Sequence, residues 1–139
     1  MEQSIKQGPD MEDPSVYSSL ALAYLGDAVY ELIVREHVLL QGNRQVNKLH
    51  KESTKYVNAA AQASLMHDIE GCLTEEEMAV YKRGRNATSH TVPKNQDMTD
   101  YRHATGFEAL IGWLYLKGNM ARIMELASPG NETEGCKDE

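Results

Sequence analysis

Apolar residues in this chain recur at three- and four-residue spacings over long stretches, which predicts helices. From about Ser18 to Leu40, Leu22, Leu25, Val29, Leu32, Ile33 and Leu40 mark one such face, and Gln41-Gly42-Asn43 ends the run. A second pattern runs from Gln45 to about Met66, with Val46, Leu49, Val57, Ala60, Ala61 and Leu65 on its apolar side. Thr74-Glu75-Glu76-Glu77 reads as a capping box that opens a third helix through Met78, Val80 and Tyr81, stopping near Gly84. The stretch from Arg85 to Thr99, broken by Pro93, reads as a loop. A fourth helix is expected from about Asp100 to Leu116, carrying Phe107, Leu110, Ile111, Trp113 and Leu114. Gly118 suits the position just past its end, and Asn119 can cap a last short helix over Met120 to Ala127. No stretch sustains a period of two, so the expected fold class is all-α.

The 139 residues suffice for one domain with its own core. We expect that domain over residues 15–127, between a disordered N-terminal segment, 1–14, and a disordered acidic tail, 128–139. No apolar run approaches the ~20 residues of a membrane helix, so no membrane partner is expected. The polar, acidic start MEQSIKQGPDMEDPS does not read as a signal peptide. Cys72 and Cys136 form neither a disulfide framework nor a metal-ligand pattern, and a reduced, cytoplasmic protein is the simplest expectation.

The net charge of −7 looks unfavourable for binding nucleic acid, but its distribution matters more than its sum. Each terminal segment sets four acids against one lysine, which leaves the stretch between them close to neutral. Within it, Lys82 to Gln96 (KRGRNATSHTVPKNQ) holds Lys82, Arg83, Arg85 and Lys94 and no acid. Such a block is a candidate phosphate-binding footprint, with a solvated loop as the plain alternative.

Two acids stand out against apolar surroundings. Asp27 interrupts LALAYLGDAVYELIV, and Glu108 interrupts ATGFEALIGWLYL. Burying an ionised carboxylate is expensive unless something pairs with it. Each acid has glycines nearby, Gly26 for one and Gly106 and Gly112 for the other, and a glycine permits close approach by another backbone. Glu31 follows Asp27 by one helical turn, a mildly repulsive arrangement that a bound cation would reverse. Facing carboxylates on two helices can hold a hard cation such as Mg²⁺, which activates a water and stabilises a leaving oxygen. The competing reading is that each acid is a salt-bridge partner or sits at a helix edge.

The stretch LALAYLGDAVYELIVREHVL resembles the signature helix of the ribonuclease III family, in Leu25, Gly26, Asp27, Ala28 and Val29. The family's last motif is similar to Glu108, Ala109, Leu110, Ile111 and Gly112. Order and separation agree, and the resemblance spans roughly residues 15–127. Nothing remains for the double-stranded RNA-binding domain usual in the family, so the likeness is to the compact bacterial form. The resemblance implies a homodimer of all-helical nuclease domains. It implies Mg²⁺-dependent hydrolysis of double-stranded RNA, with Mn²⁺ as a substitute, leaving 5′-phosphate and 3′-hydroxyl ends. It also implies maturation of 23S ribosomal RNA precursors, with a ribosomal protein as a candidate helper.

Under the resemblance, Asp27 and Glu108 carry over as catalytic and metal-binding residues, and Lys82, Arg83, Arg85 and Lys94 would contact phosphates. Two acids usual in the family are replaced, by Ala23 and Thr105. Glu31 and Glu52 are candidate substitutes or outer groups around the metal. Tyr24 stands where the family usually has phenylalanine and is expected in the core. Tyr30 and Ile33 are open between core and dimer interface, and Arg102 and His103 between RNA, a partner protomer and plain surface. Two other functions remain in play: a non-catalytic double-stranded RNA-binding or ribosome-associated protein on the same fold, and a helical protein–protein module. The missing acids favour the first of these; the intact pair and the basic block weigh against both.

Overall fold

The computed structural model describes residues 9–87 and 97–129, and every regular element among them is helical. Six α-helices occur in order: α1 (Ser19–Leu40), α2 (Val46–Ser53), α3 (Ala59–Ile69), α4 (Glu75–Asn86), α5 (Met98–Leu116) and α6 (Met120–Ala127). Short 3₁₀ turns cover Pro14–Val16 and Glu70–Cys72. Side-chain oxygens start most of the helices. Ser18 accepts from the Ala21 N–H, Asn119 accepts from the Arg122 N–H, and Thr74 and Glu77 form the expected reciprocal capping box. Gly118, at φ +78°, closes α5 in the left-handed conformation that glycine adopts without strain.

α5 is the axis of the molecule, packed against α1, α3, α4 and α6. Every residue from Ala104 to Leu114 is buried except Glu108. A helix buried all round cannot be amphipathic, and its surroundings must supply apolar faces on several sides. α1 contributes Leu22, Val29, Tyr30, Ile33, Val34 and Val38, and Tyr30 meets Phe107 edge-on with ring centroids 5.1 Å apart. Tyr30 and Ile33 are therefore core residues of one chain. On the other flank, α6 is tied down by Arg122, which donates from Nε and Nη2 to the Glu77 carboxylate at 2.9 and 2.8 Å and to the Cys72 carbonyl at 2.8 Å.

Four expectations change. The helix expected from Gln45 to Met66 is two helices. Thr54 turns its hydroxyl back onto the Lys51 carbonyl, and the Asn58 side chain donates to the Thr54 carbonyl and accepts from the Ala61 N–H, so α3 starts afresh. α4 ends at Asn86, two residues past the expected stop near Gly84; a Cβ on Gly84 would lie 2.8 Å from the Ala109 Cβ and 3.0 Å from the Gly106 Cα, so the glycine serves close packing of α4 on α5. Tyr24 is 84% exposed rather than core. Cys72 is disulfide-bonded rather than an unpaired thiol, a pairing that spacing in the sequence does not signal. Of the segment expected to be disordered, residues 1–8 lie outside the described residues, while the Met11 N–H donates to the Leu116 carbonyl and Pro14 is buried. Residues 130–139 of the acidic tail also lie outside the described residues.

Candidate active site

α1 and α5 cross with their backbones in contact. A Cβ on Gly26 would lie 1.8 Å from the Glu108 carbonyl oxygen, and one on Gly112 would lie 2.0 Å from the Leu22 carbonyl oxygen. Only hydrogen fits at either point. The residue after Gly26 is Asp27, and the backbone Gly26 touches is that of Glu108. The two glycines thus set the depth of the crossing, and the crossing brings the two acids together.

Asp27 and Glu108 share a cleft of about 270 Å³ with Val57, Gln62, Tyr101 and Thr105 among its lining residues. Asp27 is exposed and Glu108 is half-buried. Gln62, only 3% exposed, donates from Nε2 to Glu108 Oε2 at 3.2 Å. Burial first, then the neighbouring Asp27 carboxyl, pushes the Glu108 carboxyl up to about 8, against the opposing pull of the Gln62 amide. Without a counter-charge the cleft therefore favours a proton on Glu108. A hard divalent cation that keeps most of its waters needs few protein oxygens and would relieve the same repulsion, so the donor set fits one.

The other expected acids are not gathered here. Glu31 pairs with Arg35 at 2.7 Å and Glu52 with Lys55 at 3.2 Å, and neither lines the cleft. Among the described residues no group of three or more His, Cys, Asp or Glu side chains could hold a metal ion. Ala23 and Thr105 are both buried, and the Thr105 hydroxyl donates to the Tyr101 carbonyl at 2.9 Å. At the two positions where the resemblance led us to expect acids, this chain thus has small buried side chains, and the hydroxyl of Thr105 is satisfied within its own helix.

The basic residues sit at the end of α4. Lys82 and Arg83 are exposed, with Arg83 donating to the Ser15 hydroxyl at 3.2 Å. The Arg85 guanidinium lies 5.5 Å from the centre of the Tyr81 ring, and Lys94 lies outside the described residues. The Tyr81 hydroxyl is hydrogen-bonded to His103 Nδ1, while Arg102 is exposed. Gln62 is the cleft residue that sequence reasoning missed. Its signal was a polar side chain in register with Met66 and Ile69, the buried positions one and two turns later in α3.

A model of the Ribonuclease III domain family matches residues 20–119. Among relatives, the Mini-ribonuclease 3 of Streptococcus pneumoniae is 48% identical over 120 residues, covering 85% of this chain and 94% of that protein. The Mini-ribonuclease 3 of Brevibacillus brevis is 51% identical over 114 residues, covering 82% and 85%. A crystal structure of a Fusobacterium nucleatum protein superposes with a TM-score of 0.73 at 34% identity, covering 80% of this chain and 88% of that one.

Proposed function

The chain belongs to the ribonuclease III family and is an endoribonuclease of double-stranded RNA, and from that premise we propose a Mg²⁺-dependent hydrolysis centred on Asp27 and Glu108. The observation that carries it is the convergence of these two carboxyl groups where α1 and α5 cross at Gly26. Glu108 anchors the site from inside the fold, and exposed Asp27 meets the substrate. Asp27 and Glu108 would hold a divalent cation, which would supply an acidified water and neutralise charge on the scissile phosphate, a role Mn²⁺ would also fill. The products carry 5′-phosphate and 3′-hydroxyl ends.

A duplex has two strands, and a homodimer would cut one with each protomer. Tyr17, Leu20 and Tyr24, 49%, 43% and 84% exposed, form an apolar face one to three turns before Asp27 on α1 and its approach, the kind of surface a second copy covers. A-form RNA offers phosphates and 2′-hydroxyls across a shallow minor groove, so recognition is mainly by shape. Lys82, Arg83, Arg85 and Lys94 would supply the phosphate contacts. The substrate we assign is the 23S ribosomal RNA precursor, with a ribosomal protein as a candidate accessory partner and the cytoplasm as the setting. The disulfide at Cys72 would there be exposed to reduction.

The test is incubation with long duplex RNA and Mg²⁺, beside Asp27→Asn and a chelator control. Cleavage by the wild type alone, abolished by chelation, is the expected result. One observation favours a second reading, a protein that binds duplex RNA without cutting it: among the described residues the cleft gathers two acids and no third. A folded wild type that binds duplex RNA but leaves ribosomal precursors intact would select that reading.

A further inference from the structure

Gln62 is an odd residue to find 3% exposed in the first turn of α3, between Ala61 and Ala63. A buried amide is costly unless its polar atoms are satisfied. Its Nε2 is aimed at Glu108 Oε2, 46 residues away in sequence, at 3.2 Å. When Glu108 is ionised, only the nitrogen end of the amide can face it, because a carboxylate accepts and does not donate. The Glu108 carboxylate is thereby held in one orientation by a neighbour on a different helix. The N–H that Glu108 Oε2 accepts also sets a positive dipole against that oxygen on its α3 side.

We propose that Gln62 is a positioning residue that orients Glu108 and restricts the cleft to a single divalent cation, on the Asp27 side. This rests on the metal site assigned above to Asp27 and Glu108. Surrounding residues agree with it. Val57, Ala59, Tyr101, Ala104 and Thr105 complete the cleft wall, and none of them brings another carboxylate. Gln62→Glu is the informative exchange. It keeps the shape, replaces the N–H donor with an oxygen ligand, and offers a second cation a place between residues 62 and 108. Gln62→Met keeps the length and removes the donor without adding a ligand.

The experiment is a Mn²⁺ titration of the full chain, freed of metal, monitored by electron paramagnetic resonance, with melting curves to check that each variant folds. The wild type should take up one Mn²⁺ per chain at the cleft. Gln62→Met should still take up one, about 10-fold more weakly, as expected when the group that orients a metal ligand is removed. Gln62→Glu should take up a second ion and show the spectral broadening of a coupled Mn²⁺ pair, a signature that loss of packing does not produce. A Gln62→Met affinity equal to wild type, or a Gln62→Glu variant that stays at one ion, overturns the proposal. If Gln62→Met does not fold, the Gln62→Glu stoichiometry decides. A wild type that binds no Mn²⁺, or an Asp27→Asn variant that binds it undiminished, overturns the metal site itself and this inference with it.

Discussion

Gly26→Ala places one methyl group where α1 and α5 touch. The added carbon would start 1.8 Å from the Glu108 carbonyl oxygen and 2.8 Å from the Gly112 nitrogen, both backbone atoms with no rotamer to escape into. Ordinary contact begins at 3.4 Å, so the helices must part locally by about 1.6 Å. That gap opens within the core to which Leu22, Val29, Phe107 and Ile111 belong. Overpacking a core costs typically 1–3 kcal/mol, and the rigidity of both contacts puts this case near ~3 kcal/mol. For a domain of this size that lowers the melting temperature by about 10 °C. The same displacement carries Asp27 away from Glu108, and a misplacement of ~1 Å can reduce catalysis by about 100-fold. The assay pairs thermal unfolding with cleavage of duplex RNA at a temperature where the variant is folded. Gly112→Ala, with its 2.0 Å approach to the Leu22 carbonyl, should behave alike. The double variant should cost less than the sum, because the first methyl already opens the gap. Near-wild-type melting and cleavage in Gly26→Ala would refute the claim that this crossing sets the site.

Three further outcomes are expected. Because the folded protein without metal raises the Glu108 carboxyl from 4.5 to about 8, it holds a proton that the unfolded chain has released. Stability from this group is thus full at low pH and is lost as pH rises across that window, and divalent cation at pH 8 should restore it. A melting temperature as pH-dependent in Glu108→Gln as in the wild type would count against this. Arg122→Ala strips the partner from Glu77, which is 5% exposed, and should cost about 3 kcal/mol in denaturant unfolding, with Arg122→Lys unable to replace the two-pronged contact. Burial pushes the Glu77 carboxyl up, but the bonds from Arg122 and Thr74 outweigh it and hold it below its ordinary value. Its contribution is present above that ordinary value and should fade as pH falls through the lowered one, so a wild-type acid transition no steeper than that of Arg122→Ala would speak against the pairing. Neutralising Lys82 and Arg83 should lower duplex-RNA affinity and flatten its salt dependence by about one unit of slope for each phosphate no longer neutralised; an unchanged slope would remove them from the interface.

How much of this was legible in the sequence depends on whether the decisive partner is local. α1 and α6 start where Ser18 and Asn119 suggested, because a cap is a contact within a few residues. The break at 54–58 was hidden, because Thr54 and Asn58 act through side-chain bonds to backbone that an apolar pattern does not register. That break also shifts the phase of α3. Its buried positions are Gln62, Met66 and Ile69, not the Ala61 and Leu65 that one continuous helix implied. Asp27 and Glu108 were legible because a charge among apolar residues contrasts with its surroundings. The reason holds in the structure for only one of them: Glu108 is the break in an otherwise buried run of α5, while Asp27 is exposed. Gln62 was hidden, because its register with Met66 and Ile69 emerges only once the break at 54–58 is known, and its meaning lies in a bond to another helix.

Tyr24 and Leu32 show the limit of the apolar stripe itself. Both lie on α1 among residues of the apolar pattern, yet they are 84% and 56% exposed. Periodicity reports that a helix face is apolar; it does not report what covers it, and among the described residues nothing covers these two. α1 is therefore apolar for two separate reasons. One side packs on α5 and, through Gly26, fixes the acids. The side bearing Tyr17, Leu20 and Tyr24 is free for a second protomer under the dimer proposed above. Asp27 lies on that same side, one turn beyond Tyr24, so the surface that would build the dimer and the residue that would meet RNA are carried by one helix. A Tyr24→Asp exchange then separates the two roles. It should shift the protein toward monomer in analytical ultracentrifugation while leaving Mn²⁺ affinity at the cleft within a few-fold of wild type. A dimer unaffected by that charge would move the interface elsewhere.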